Sequence, residues 1–317
     1  MVKTMSEQEP VPPSFVVAGM PMYNEEETIG TVVTTALRYV DAVICIDDGS
    51  SDSSARIAEA CGAIVYRHRS NRGYGAALKT LFIKAREMDA TALVVLDSDG
   101  QHEAADIPKL LKPILSGEAD FAIGSRFING GGGTDMPAYR RLGIKVITAA
   151  SNLSSDLGIK DTQSGFRAFS SRALDRLRFD SEGMELSLEM LEDAREKQLS
   201  IIEVPTVIRY DVPKGSNFTA VSHGFTVLTW AMLSLSQKKP LLVLGLPGMG
   251  LLATGAAMGM NAAQGVTTLL DSSFGHGLSA VWICAWGLSL METGLVSQSA
   301  RGFLLHLHVS SFSRCLI

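Results

Sequence analysis

The chain has 317 residues, 46 % hydrophobic and 19 % charged, with a formal net charge of −5 and a mean hydropathy of +0.18. Beyond Lys239 only Asp271, Glu292, Arg301 and Arg314 carry formal charge, so the chain is neither one uniform soluble globule nor membrane-embedded throughout, but a soluble domain followed by a short membrane portion. The acidic balance, with a pI near 5.7, argues against nucleic acid as a partner, because phosphate-backbone binders carry a basic excess.

Residues 1–14 are polar and proline-containing, with no apolar run, which predicts no cleaved signal peptide. From Phe15 onward strand and helix patterns alternate. Phe15–Met20, Ala42–Asp47, Ala63–Tyr66, Thr91–Asp97 and Asp120–Gly124 are short, apolar and rich in β-branched residues, as buried parallel strands are. Between them Ile29, Val32, Val33, Ala36, Leu37 and Val40 fall at helical spacing, as do Ala77, Leu78, Leu81, Phe82 and Ala85. The expectation is an α/β sandwich around a mostly parallel sheet, with ligands at the carboxyl ends of the strands. Cys45, Cys61, Cys284 and Cys315 are scattered and form no CxxC, which reads as reduced thiols of a cytosolic domain.

The second part of the chain reads differently. Phe218 to Gln237 sets Phe225, Leu228, Trp230, Met232 and Leu235 among small polar residues, a pattern for an interfacial helix over 218–239. Two uncharged stretches follow, long enough to span a bilayer, at roughly Leu241–Met260 and Phe274–Met291 within 240–291. Lys238 and Lys239 before the first and Arg301 after the second place both flanks in the cytoplasm by the positive-inside rule. This predicts a multi-pass cell-membrane protein whose large domain, 15–217, faces the cytoplasm. The tail, 292–317, has no evident function, and its terminal segment FLLHLHVSSFSRCLI is too short for a further span.

Three predicted strands end in acidic segments: Pro21-Met22-Tyr23-Asn24-Glu25-Glu26, Asp47-Asp48-Gly49-Ser50-Ser51-Asp52, and Asp97-Ser98-Asp99-Gly100-Gln101-His102. Adjacent carboxylates repel unless a cation or donors accompany them. Asp97, Asp99 and Gln101 offer oxygen at alternate positions, which suits Mg²⁺ or Mn²⁺ bridging to phosphate. Turn and N-cap chemistry favours the same residue types, but three acidic strand ends within 80 residues favour the metal reading. Gly130–Gly133 has no following GK[ST] and is not a P-loop; it reads as a mobile loop or a lid over an acceptor. Asn71-Arg72-Gly73-Tyr74-Gly75-Ala76 lacks the third glycine of a dinucleotide fingerprint.

The run PMYNEEE, IDDGSSD, LDSDGQH, GSRF and DTQSGFRAF, in order across Val16 to Tyr210, resembles a family 2 glycosyltransferase of the GT-A fold, in particular the polyprenyl (dolichyl) phosphate hexosyltransferases. PLLVLGLPG, opening the predicted hairpin, is similar to archaeal and bacterial members. The resemblance implies an inverting transfer of a hexose, glucose or mannose, from a UDP- or GDP-sugar to polyprenyl or dolichyl phosphate at the membrane lipid surface. It implies that Pro21, Tyr23 and Glu25 hold the nucleoside, that Asp48 contacts the base while Asp47 braces its loop, and that Gly73 belongs to a further nucleotide-contacting turn. Asp97, Asp99 and Gln101 would bind the metal, and Arg126, Arg141 and Arg167 would face the acceptor phosphate. A lipid phosphate is already ionised at pH 7, so positioning and electrostatics suffice, in keeping with the lack of a Ser/His/Asp or Cys/His constellation. The sequence departs from the family at Lys214, which precedes a glycine where relatives carry Gly-x-Ser-Lys. Two alternatives stand: a polysaccharide or glycolipid synthase of the superfamily, although no Trp follows an Arg as in Gln-x-x-Arg-Trp, and a non-catalytic nucleotide-sugar-binding scaffold.

Overall fold

In the computed structural model the described residues are 14–129, parts of 141–152, 158–181, 186–209, 236, 239–265 and 278–297. The segment 130–140, the Tyr210–Asn217 stretch with Lys214, almost all of the predicted interfacial helix, the hairpin turn and the tail beyond 297 lie outside them. The chain divides into two units, Met1–Leu228 and Thr229–Ile317.

The first unit is built on seven strands: β1 (Val16–Met22), β2 (Ala42–Asp47), β3 (Ile64–Arg67), β4 (Ala92–Val95), β5 (Phe121–Ser125), β6 (Arg167–Ser170) and β7 (Ile201–Pro205). They run in the order β3-β2-β1-β4-β6-β5-β7. Only β6 is antiparallel to its neighbours, β4 and β5; the other pairs are parallel. Helices α1 (Ile29–Ala36), α2 (Ser54–Ala60) and α4 (Ile107–Leu115) contribute to the apolar cluster on one sheet face. The other face is covered by α3 (Tyr74–Glu87), α5 (Ser171–Arg176) and α6 (Leu186–Glu196). With helices on both faces, strand residues of either parity are buried, which is why β1, β2 and β4 read as unbroken apolar runs. The second face is keyed by aromatic rings. Phe82 meets Phe169 and Phe179 edge-on with centroids 5.0 and 5.1 Å apart, an arrangement favoured by the ring quadrupoles.

The strand limits differ from the sequence expectation in an informative way. β1 continues through Pro21 and Met22, paired with Ile46 and Asp47 of β2. A proline is tolerated there because its missing N–H faces the β4 side, where pairing has already stopped at Gly19↔Val95. β4 is correspondingly short: Leu96 N–H makes its last bond, to the Gly19 carbonyl at 3.1 Å, and Asp97 to Gln101 continue as a loop at the carboxyl end of the sheet.

In the second unit a π turn, Leu241–Gly245, leads into α7 (Leu246–Gly265), and α8 spans Leu278–Ser297. The second helix thus runs past the expected end at Met291 and carries Glu292 in its last two turns. Both helices are long and apolar enough to cross a membrane, with mean hydropathies of 1.8 and 1.3 over Leu241–Asn261 and Leu278–Ser297. They approach each other backbone to backbone: a Cβ on Gly248 would lie 2.8 Å from the Gly287 carbonyl oxygen, and one on Gly287 2.7 Å from that of Gly248. Close helix contact through small residues is the usual way apolar helices pack where water supplies no driving force.

Candidate active site

The carboxyl ends of β1, β2 and β4 present three loops that are stitched together by side chains. Thr28 Oγ1 donates to the Ser98 carbonyl at 2.7 Å, and Ser98 Oγ donates to the Pro21 carbonyl at 2.9 Å. The Asn24 backbone N–H donates to Ser50 Oγ at 3.0 Å, while Ser51 N–H returns a bond to Asn24 Oδ1 at 2.9 Å. Glu25 N–H donates to Ser54 Oγ at 2.7 Å. Asn24 itself adopts φ 58, a left-handed turn that Asn tolerates. Pro21 is buried, Glu25 half-buried, and the Tyr23 ring stands exposed beside them, so the first loop leaves an aromatic face open to a ligand.

Asp47 and Asp48 have opposite duties. The fully buried Asp47 accepts Ser50 N–H at 2.8 Å and pairs with Arg67 Nε at 3.1 Å, bracing its own loop. Asp48, also buried, reaches the segment after β3: it accepts Arg72 N–H at 3.0 Å, Gly73 N–H at 2.7 Å and His68 Nδ1 at 2.7 Å. Gly49 makes this possible. Its φ is +82, and a Cβ there would lie 2.8 Å from the Ser70 carbonyl carbon and 2.9 Å from Asn71 N, so the two loops touch only because the side chain is absent.

After β4, Asp99 Oδ1 accepts Gln101 N–H at 2.9 Å. Asp97 keeps about a third of its side chain exposed (35 %), and desolvation pushes its carboxyl up to about 6 against the pull of Arg167 and Arg126. A Cβ on Gly165 would come within 2.8 Å of Asp97 Oδ2, so the Ser164-Gly165 backbone cradles that carboxylate. His102 is not part of the donor set. Its Nδ1 accepts the Asp97 backbone N–H at 3.1 Å, its ring stacks on Phe166 at 5.2 Å, and burial lowers it to about 4, so the imidazole is neutral. Tyr74, at the start of α3, is raised by burial and by Asp97, with Arg167 opposing, so its phenol remains a neutral hydroxyl.

The three arginines separate. Arg126, after β5, is buried in a bidentate pair with the fully buried Asp161, Nε–Oδ2 2.6 Å and a terminal nitrogen to Oδ1 2.7 Å, with its backbone N–H on the same carboxylate at 3.1 Å. Glu203 on β7 holds that carboxylate's own backbone, accepting Lys160 N–H and Asp161 N–H at 3.0 Å each. Arg167 on β6 is 3 % exposed; its Nε donates to the Ser164 carbonyl at 2.8 Å and a terminal nitrogen to the Thr162 carbonyl at 3.1 Å. It braces the DTQSG turn from beneath. Arg141 is helical and exposed. Asn24, Ser50, Ser54, His68, Asp161 and Glu203 were not foreseen as site residues. Asn24, Ser50 and Asp161 fall inside the quoted motifs, whereas no motif marked Ser54, His68 or Glu203.

A model of "Glycosyl transferase family 2" matches residues 18–178, just over half of the chain, from within β1 through α5. The chain belongs to glycosyl transferase family 2. It is a glycosyltransferase. Among relatives, the UDP-N-acetylglucosamine–dolichyl-phosphate N-acetylglucosaminyltransferase of Methanococcus voltae is 31 % identical over 242 residues, covering 70 % of this chain and 96 % of that one. The glycosyltransferase AglJ of Haloferax volcanii is 29 % identical over 311 residues, 95 % of this chain and 97 % of that one, so its match extends over the apolar helices. In fold, the first unit resembles glucosyl-3-phosphoglycerate synthase of Mycobacterium tuberculosis, a structure that holds Mn²⁺ and UDP, with a TM-score of 0.56 at 22 % identity over 71 % of this chain and 80 % of that chain. The expected GT-A-like α/β architecture with a mostly parallel sheet is thereby borne out.

Proposed function

We propose that this glycosyltransferase moves one hexose or N-acetylhexosamine from a nucleoside diphosphate sugar to a polyprenyl or dolichyl phosphate, inverting the anomeric centre. The observation that carries the reading is the junction of the three acidic strand-end loops at one edge of the sheet, joined by Asp48 to the Asn71–Gly73 turn. It is supported by a relative that matches over nearly its whole length and is named for a dolichyl-phosphate acceptor, and by the two apolar helices.

In this reading Tyr23 and Glu25 line the nucleoside with Pro21 behind them, and Asp48 with Gly73 forms the base end. Asp97, Asp99 and Gln101 are an oxygen-only donor set, and Gly165 leaves Asp97 the room to present its carboxylate. That oxygen-only chemistry suits a hard divalent cation such as Mg²⁺ or Mn²⁺, which Asp97, Asp99 and Gln101 would hold. Held there, such a cation would neutralise charge developing on the leaving nucleoside diphosphate. The acceptor needs no general base, because its phosphate is ionised: one of its oxygens forms the new bond to the anomeric carbon as the bond to the nucleoside diphosphate breaks, on the opposite face. Arg126, held rigid by its bidentate pair with Asp161, orders the acceptor side; Arg141, helical and exposed, is the acceptor-side cation; Arg167 sets the turn beneath Asp97. The helices anchor the chain in the membrane where the acceptor resides, with Lys238, Lys239 and Arg301 on the cytoplasmic side.

The test offers membranes containing the full chain UDP- and GDP-sugars, UDP-N-acetylglucosamine included, with Mg²⁺ or Mn²⁺ and a short polyprenyl phosphate, and identifies the lipid by mass spectrometry. A mass increase of one sugar on the phosphate is expected. Transfer only to a free glycan or glycolipid would overturn the acceptor assignment.

A further inference from the structure

We propose that His68 is a positioning residue for donor binding, acting through Asp48; this rests on the reading of the 71–73 turn as part of the nucleotide site. The imidazole lies behind the carboxylate, its side chain only 10 % exposed against 6 % for Asp48, so it does not itself meet a ligand. It joins three elements. Its backbone N–H donates to the Asp47 carbonyl at 2.8 Å at the end of β2, Nδ1 is 2.7 Å from Asp48 Oδ1, and Nε2 is 2.9 Å from Thr80 Oγ1 on α3.

The partners decide the hydrogen positions. An ionised carboxylate only accepts, so Nδ1 carries a proton toward Asp48 whatever the charge of the ring. At the far side Thr80 adapts: its hydroxyl either donates to Nε2 of a neutral ring, or donates to the Ala76 carbonyl, 3.0 Å away, and accepts from Nε2–H of an imidazolium. Either way the ring is clamped from α3 and holds Asp48 at one oxygen while Arg72 and Gly73 N–H groups hang from the carboxylate. Losing His68 releases one of the three donors that orient Asp48, and with it the turn that α3 begins from.

This arrangement makes an isostere test sharp. In His68→Asn the amide nitrogen takes the place of Nδ1 and keeps the bond to Asp48. In His68→Gln the amide reaches toward Thr80 and leaves Asp48 without that donor. Binding of UDP and of GDP with Mn²⁺ is measured by calorimetry on the detergent-solubilised full chain, together with donor KM, acceptor KM and kcat. His68→Ala and His68→Gln are expected to weaken nucleotide binding and raise donor KM roughly tenfold, the order of a hydrogen bond to a charged group. His68→Asn stays within about twofold of the parent, and acceptor KM and kcat at saturating donor are unchanged in all three. A His68→Ala chain with parental nucleotide affinity, or an Asn variant as weak as the Ala variant, overturns the proposal. A parent chain that binds neither UDP nor GDP overturns the nucleotide-site reading itself, and is told apart because no variant is then needed.

Discussion

Replacing Asp161 by alanine tests whether the Arg126 pair organises the acceptor side of the site. The carboxylate is 0 % exposed and Arg126 8 %, and two guanidinium nitrogens approach within 2.6 and 2.7 Å. Removing one member of such a pair leaves a buried charge without its counter-ion, a loss of about 3–5 kcal/mol, whereas replacing both by apolar groups is far less costly. For a unit of this size, about 2–4 °C accompanies each kcal/mol, so Asp161→Ala should lower the melting temperature of the first unit by roughly 6–20 °C. Arg126→Met combined with Asp161→Leu should regain most of that stability while lacking transferase activity. The assay must follow backbone circular dichroism, because Trp230, Trp282 and Trp286 all lie in the second unit and fluorescence would report the wrong part of the chain. A shift below about 2 °C for Asp161→Ala, or a double variant as unstable as the single one, would refute the reasoning.

Three further outcomes are expected. Asp99→Ala abolishes sugar transfer in purified membranes while leaving the circular dichroism spectrum unchanged; retained transfer counts against a metal-binding role. Gly49→Ala combines a left-handed backbone with a Cβ pressed on Ser70 and Asn71, so it should cost upward of about 1 kcal/mol and weaken nucleotide binding; unaltered melting and binding would mean that the two loops can part freely. Cys45, whose thiol burial pushes up to about 12, stays protonated and sheltered at pH 8; iodoacetamide should label it only after denaturation, and mass spectrometry of the native protein finding it modified would contradict the packing of β2.

Much of the architecture is legible in the chain itself because buried parallel strands need apolar residues on both faces. AVICID and TALVVLD announce β2 and β4 directly, and the alternation with helices restricts the fold to an α/β sandwich. β6 and β7 escape that logic. RAFS is four residues long and opens on an arginine, and IIEVP carries Glu203 and ends in proline, so neither has the apolar length that periodicity detects. The acidic strand ends were visible as motifs for the same reason that they work: carboxylates gathered at a strand terminus require donors or a cation. Which carboxylate takes which partner was not visible.

The sequence by itself determined the chemistry on offer: a charged part with acidic, oxygen-rich strand ends, and beyond Lys239 a part with only four formal charges. Only the tertiary structure decided how those charges are spent. Asp48 meets Gly73 25 positions away, and Arg126 meets Asp161 35 positions away; neither separation has a local periodicity to betray it. A buried charge is stable only beside the donor or counter-ion that the folded sheet delivers to it, so the division of Asp47 from Asp48, and of Arg126 and Arg167 from Arg141, exists only once the loops at the sheet's edge have closed on one another.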